Sequence, residues 1–206
     1  MASTTYDASS IDYLEGLEAV RKRPGMYICG TGTDGYHHLL WEVVDNSVDE
    51  AINGYASTIK VTVHPDSETA TVEDNGRGIP VGMHAKAGVS ALQVIMTKLH
   101  AGGKFGNKAY NTSGGLHGVG ASVVNALSKK LTVRVRREGQ EWVQDYRKGK
   151  PRAPVAADGS ARGTGTAITF TPDPSIFDEI GFDPEHIRKQ LEVRAYVHKG
   201  LRIVHK

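Results

Sequence analysis

The chain has a single cysteine, Cys29, among 206 residues, which excludes a disulfide framework, a CxxC redox pair and a thiolate zinc site. A reducing, cytoplasmic setting is the expectation that follows. No basic stretch followed by an apolar run opens the chain, and nowhere is there a run of roughly eighteen apolar residues, the least that a membrane helix needs. No membrane partner is expected. Charge of one sign is missing too, since 25 Lys+Arg against 23 Asp+Glu leave a net +2. That balance argues against bulk electrostatic attraction to nucleic acid as the main business of the chain. The phosphate loop GxxxxGK[ST] does not occur either.

Glycine, by contrast, is abundant. There are 24, where average usage of ~7% would give about 14. They follow no period, so neither a collagen nor a repeat array accounts for them. Eleven fall between Gly76 and Gly120, which points to two loops shaped for close approach of a ligand.

The patterning is that of one domain behind a polar arm, residues 1–9. From Ser10 the apolar residues Ile11, Leu14, Leu17 and Val20 recur every three positions, with Asp12 and Glu15 early and Arg21, Lys22 and Arg23 late. This predicts a dipole-matched helix stopped by Pro24-Gly25. Met26 to Cys29 reads as a short extended piece. A second helix is expected from about Tyr36 to Asn53, with Leu40, Val43, Val44, Val48, Ala51 and Ile52 buried and Gly54 just past its end.

Ile59, Val61 and Val63 then alternate with polar residues, and Thr69 to Glu73 reads as a second strand. The linker between them is too short for a parallel crossover, so the pair is an antiparallel hairpin. A helix from Ser90 to about His100, a glycine-rich stretch and a short apolar helix through Val123, Val124 and Leu127 come next. Strands are expected at Leu131 to Arg137, Glu141 to Arg147 and Thr166 to Thr171. Asp183-Pro184-Glu185 starts a last helix to about Val197, and Leu201 to Val204 begins one more strand. The class is α+β, a two-layer sandwich of a mostly antiparallel sheet with helices on one face. Because the chain stops in that last strand, a further domain is expected beyond it.

Three constellations can carry chemistry. On the second helix His38, Glu42, Asn46 and Asp49 are spaced four, four and three apart, which places them along one face. The bland alternative is a solvated face, but the stripe is rich in mediocre helix formers and lacks Glu-to-Lys pairs. A carboxylate with a histidine one turn before it and a carboxamide one turn after suits a general base, its orienter and a metal ligand. The second is Glu73-Asp74-Asn75-Gly76-Arg77-Gly78-Ile79-Pro80 at a strand end. This could be no more than a tight loop. Yet a buried Asp74, which only accepts hydrogen bonds, needs a donor, and the exocyclic amino group of a base would serve.

The third runs from Gly102-Gly103-Lys104 to Ser113-Gly114-Gly115-Leu116-His117-Gly118-Val119-Gly120, immediately before a helix. Glycines there expose N–H donors toward phosphates, and the length of the segment is that of a lid. The string Gly30-Thr31-Gly32-Thr33-Asp34-Gly35 matches the dinucleotide fingerprint GxGxxG. A hairpin follows where a dinucleotide fold needs a parallel strand, so it is set aside. The basic run Lys129, Lys130, Arg134 and Arg136 is either a solvated strand face or a DNA contact.

Asn46 on a helix, Asp74-x-Gly76-x-Gly78 after a strand and Gly115-x-x-Gly118-x-Gly120 before a helix together resemble the ATPase superfamily shared by gyrase, a heat-shock chaperone, histidine kinases and MutL. The longer strings from Gly16 to Ile28, Glu42 to Asn46, Glu73 to Pro80 and Ser113 to Ser128 are similar to the ATPase subunits of bacterial type II topoisomerases, gyrase and topoisomerase IV. The resemblance implies a Bergerat-type ATP-binding fold and an ATP-hydrolysing module that drives DNA strand passage and supercoiling. A MutL-type or chaperone-type ATP switch is the alternative.

By that resemblance Glu42 is the general base, oriented by His38, and Asn46 holds Mg2+ on the ATP phosphates. Asp74 takes the adenine amino group, with Gly78 and Thr166 completing the adenine site. Glu50 pairs with Arg77, whose guanidinium lies over adenine, and Ile79, Pro80 and Ile95 line the pocket. Lys104 and the N–H groups of Leu116, His117, Gly118, Val119 and Gly120 contact phosphates. Tyr6 in the arm reaches the nucleotide of a second protomer, giving a homodimer on ATP binding. Arg137 lies at the pocket mouth, where aminocoumarin-type inhibitors also bind. The gyrase A protein and DNA are implied partners through domains that this chain lacks, including one whose lysine would reach the γ-phosphate. Slow hydrolysis by this chain alone is therefore expected. Cys29 stands where the family usually has glycine and reads as a small buried residue.

Overall fold

A computed structural model describes residues 14–102 and 120–206. In chain order its elements are α1 (Gly16–Lys22), α2 (Gly25–Ile28), α3 (Thr33–Ile52), β1 (Thr58–Val63), β2 (Ala70–Asp74), β3 (Met83–His84), β4 (Val89–Ser90), α4 (Ala91–Thr97), α5 (Gly120–Ala126), β5 (Ser128–Arg137), β6 (Gln140–Arg147), β7 (Lys150–Pro151), β8 (Ala156–Ser160), β9 (Gly165–Pro172), α6 (Pro184–Val197) and β10 (Arg202–His205). The main sheet runs β10-β1-β2-β9-β5-β6-β7, with β8 also pairing with β6, and β3 and β4 make a separate ribbon. All of these pairings are antiparallel except β1 with β10.

Alternation decides which side of the sheet meets the helices. The register places Val61, Val72, Ile168 and Val133 in one cross-strand row and Val63, Ala70, Phe170, Leu131 and Tyr146 in the next. Nearly all of these are buried, and they pack with Leu39, Leu40, Val43, Val44 and Val48 of α3 and Val123, Val124 and Leu127 of the α5 segment. Each such side chain contributes about 1.5–3 kcal/mol when fully buried. Tyr36 joins a ring cluster with Phe177 and Phe182 at 5.1 and 4.8 Å, and burial pushes its hydroxyl up to about 12.

The other side of the sheet is polar. Thr71 and Thr169 pair their hydroxyls across strands, and the cations there meet carboxylates. Lys129 reaches Glu68, Arg136 reaches Glu73, and Arg134 holds both Glu141 and Asp158. Three of the four cations of the basic run are therefore neutralised locally. Such local pairing is what a solvated strand face shows.

Several expectations need correction. α1 begins at Gly16, whose φ of +57° breaks helical continuity with Leu14 and Glu15, while residues 1–13 lie outside the described part. Residues 25–28 are one helical turn rather than an extended piece, because Met26, Tyr27 and Ile28 bond back to Arg23 and Pro24 carbonyls. α3 starts three residues earlier than expected and exposes Ile52. Asp49 is buried, so the polar stripe ends inside the protein. Cys29 is exposed, and its φ of 60° is the left-handed conformation that favours glycine. No helix among the described residues is long and apolar enough to cross a membrane.

Candidate functional site

The site is built on α3, and the way that helix ends positions one side of it. Gly54 takes φ +79°, its N–H donates to the Ala51 carbonyl, and the Tyr55 N–H donates to the Glu50 carbonyl at 2.8 Å. This is the paired 5→2 and 6→1 closure of a Schellman motif. It sets the last-turn Glu50 beside the loop after β2 and folds Tyr55 under it.

Arg77 in that loop grips the Glu50 carboxylate in a fork, Nη2 to Oε1 at 2.6 Å and Nε to Oε2 at 3.1 Å. Its backbone N–H donates to the same Oε2 at 3.1 Å. One face of the guanidinium lies on the Tyr55 ring, 3.6 Å from the centroid. A two-point fork and a stacked face hold the Arg77 plane far more firmly than a single ion pair would.

Asp74 ends β2 on the apolar side of the sheet, opposite Ile59, and is only 6% exposed. Its Oδ1 accepts from the N–H groups of Gly76 at 2.8 Å and Thr166 at 3.3 Å, and its Oδ2 from the Ser47 hydroxyl at 3.0 Å. Burial raises the Asp74 carboxyl above the usual range, although all three hydrogen bonds pull the other way. Two carboxylate oxygens offer about four acceptor positions, so a three-donor set leaves room for one more. Thr166 also accepts the Ile79 N–H at 3.3 Å, tying the loop to the same point. Gly78 between them has φ +76°, and a Cβ there would come within 2.8 Å of the Arg136 carbonyl.

A second cluster lies further up α3. His38 Nε2 and Glu42 Oε1 are 3.1 Å apart, each side chain about 35% exposed. The hydrogen bond that His38 donates to Glu42 raises the imidazole above its ordinary value, with burial opposing it. One turn on, the Asn46 amide nitrogen donates to the Glu42 carbonyl at 2.8 Å, so the three side chains stay in line. Gly120, the first residue of α5, lies against the Glu42 carboxylate so closely that a Cβ would strike Oε2.

The structure therefore brings together His38, Glu42, Asn46 and Gly120 in one group and Glu50, Asp74, Arg77, Gly78, Ile79 and Thr166 in another, each group including residues of α3. Arg137 joins the second group, donating to the Gly78 carbonyl at 3.2 Å. Pro80 is exposed and Ile95 is half-buried on α4. Tyr6, Lys104, Leu116, His117, Gly118 and Val119 lie outside the described residues. Ser47 and Tyr55 were not anticipated. A buried hydroxyl next to Asn46 on an otherwise apolar helix face was the available signal for the first, and an aromatic just after the helix-ending glycine for the second.

The profile of the family described as histidine kinase-, DNA gyrase B-, and HSP90-like ATPase matches residues 31–176. The DNA gyrase B protein of Thermotoga maritima is 56% identical over 96% of this chain and 31% of its own length. That of Clostridium acetobutylicum is 54% identical over the same shares, and that of Streptomyces coelicolor 53% identical over 98% of this chain and 29% of its own. The chain thus spans under a third of the length of these curated relatives. The crystal structure of the 43K ATPase domain of Thermus thermophilus gyrase B in complex with an aminocoumarin superimposes with a TM-score of 0.83 at 47% identity, over 94% of this chain and 49% of that one.

Proposed function

Because the chain belongs to the histidine kinase-, DNA gyrase B- and HSP90-like ATPase family, we propose that it is the ATP-binding and hydrolysing module of a type II DNA topoisomerase of the gyrase B kind. The observation that carries this reading is the buried Asp74, held by three donors and able to accept one more. An adenine amino group fills that position, while guanine would bring a carbonyl oxygen against a carboxylate. Selectivity for ATP over GTP follows. Arg77, fixed by Glu50 and Tyr55, offers the face of its guanidinium to the purine.

At the other end Glu42 removes a proton from the water that attacks the γ-phosphate, and His38 orients the carboxylate through the bond between them. Hard oxygen donors suit Mg2+, and an Asn46 carboxamide one turn from a carboxylate is such a set. Among the described residues there is no group of three His, Cys, Asp or Glu that could hold a metal by itself. The ion would therefore be held by Asn46 and the ATP phosphates, where it offsets phosphate charge. Lys104 and the N–H groups of residues 116–120 complete phosphate binding, and Tyr6 reaches across to a partner protomer. ATP binding then closes a homodimer.

In the parent enzyme this closure is coupled to DNA strand passage and negative supercoiling in the cytoplasm, together with the gyrase A protein. Aminocoumarins compete at the mouth beside Arg137. The chain alone binds ATP and turns it over slowly. Calorimetry with a non-hydrolysable ATP analogue, its GTP counterpart and NAD tests the reading. Wild type should take up only the first, and Asp74→Asn should weaken that uptake about tenfold to a hundredfold. Equal binding of the GTP analogue, or uptake of NAD instead, overturns it.

A further inference from the structure

Beside α1 and the β6–β7 turn, away from both clusters on α3, lies a groove of about 660 Å3. Arg21, Arg147, Lys148, Lys150 and Arg152 line it, against one acidic residue, Glu18. The hairpin that carries four of these cations is rigid by construction. Its two central residues, Lys148 and Gly149, have φ of +51° and +82°, the combination that fits the tightest hairpin turns, and Arg147 pairs directly across from Lys150. Gly149 packs on α1 and α5, where a Cβ would meet Leu17 at 3.0 Å and Ala126 at 3.3 Å.

The charge in this groove is not cancelled. Arg21 and Lys148 share one carboxylate, Asp173, at 2.7 and 3.1 Å. Arg147, Lys150 and Arg152 are exposed and form no ion pair with any described residue. The polar sheet face is the opposite case, since Lys129, Arg134 and Arg136 there all meet carboxylates. Arg147, Lys150 and Arg152 stand within six positions of one another, so unpaired positive charge is dense along this turn. No aromatic side chain lines the groove, so neither base stacking nor an apolar peptide anchor is provided. Exposed Arg and Lys heads on a fixed turn suit repeated phosphate groups.

We infer that this groove binds the sugar-phosphate backbone of duplex DNA without reading its sequence, as a surface separate from the nucleotide site. The duplex as occupant rests on the topoisomerase reading, whereas the phosphate chemistry rests on the groove alone. Three unpaired cations and the surplus one over Asp173 give about four phosphate contacts, hence a salt slope near −3.6 on logarithmic axes.

The test is fluorescence anisotropy of this chain with a labelled 24-base-pair duplex between 50 and 200 mM salt. Wild type should lose affinity about 150-fold over that range, and the triple variant Arg147→Ala, Lys150→Ala, Arg152→Ala only about threefold. The triple variant Lys129→Ala, Arg134→Ala, Arg136→Ala should behave as wild type, and circular dichroism melts of both variants establish that they are folded. Wild-type affinity and slope in a folded groove variant overturn the proposal, as does the absence of duplex binding by wild type at 50 mM salt. Tighter binding of a poly-glutamate peptide than of duplex, lost in the groove variant, overturns DNA as the occupant. Uptake of an ATP analogue, measured in the same samples, reports separately on the nucleotide site.

Discussion

Gly120 lies against the Glu42 carboxylate with no room for even a methyl group between them. The contact joins the start of α5 to the middle of α3, so the carboxylate is located by backbone rather than by a flexible side chain. Gly120→Ala should push Glu42 out of line. A displacement of about 1 Å in a catalytic group lowers turnover about a hundredfold. Steady-state hydrolysis and analogue binding, measured together, check this. Turnover should fall while the adenine end of the site, built around Asp74, still binds.

Glu42→Gln should abolish turnover, by about a hundredfold to ten-thousandfold, and leave nucleotide uptake in place. Retained turnover would remove Glu42 from the role of base. The same variant carries a second readout. Glu42 raises the His38 imidazole, so the folded value exceeds the unfolded one. The resulting stability is fully present below the unfolded value and is lost as pH rises through the folded value. In Glu42→Gln the His38 resonance should titrate at lower pH than in wild type, measured by proton NMR.

Binding of an ATP analogue should weaken on acidification earlier than an ordinary carboxylate would dictate. Burial raises Asp74 above its unfolded value, so the folded chain takes up that proton first. Protonation relieves the cost of a buried charge and stabilises the fold as pH falls through the raised value. Ligand binding has the opposite sign, because the amino group needs the ionised form. Ser47→Ala removes one donor from Oδ2 and should move the inflection to higher pH still. Calorimetric affinities at stepped pH check both shifts.

Cys29→Gly should stabilise the protein by about 0.5–1 kcal/mol, the relief of a left-handed φ in a residue with a Cβ. Urea melts of the two proteins measure it. Because Cys29 is exposed, a thiol reagent should also label the native wild type without unfolding it.

How much of this was legible beforehand depended on segment length. α3 and the β1–β2 hairpin were readable because ten or more residues hold one period, and Gly54 and Asp183 marked helix ends by their chemistry. α2 was not, since four residues show no period, and the two-residue strands β3, β4 and β7 are too short to alternate. In the site, Asp74 and Arg77 declared themselves as charged residues beside glycines, whereas Glu50 has no such neighbour and was implied only by the family resemblance. Ser47 did not, because a small hydroxyl on an apolar helix face reads as ordinary packing until the carboxylate it serves is seen across the layer boundary. Tyr55 was hidden likewise, its role depending on the turn that folds it under Arg77.

Asp74 bonds at once to α3 through Ser47, to β9 through Thr166 and to its own loop through Gly76. The group proposed to read the ligand is therefore also a joint between helices and sheet. A lineage pressed to escape a competitive inhibitor has little freedom there, because each replacement loosens the architecture along with recognition. Arg137 is tied down more lightly, by the Gly78 carbonyl and its neighbour Glu138. Heritable escape should accumulate at that outer position and leave the carboxylate alone.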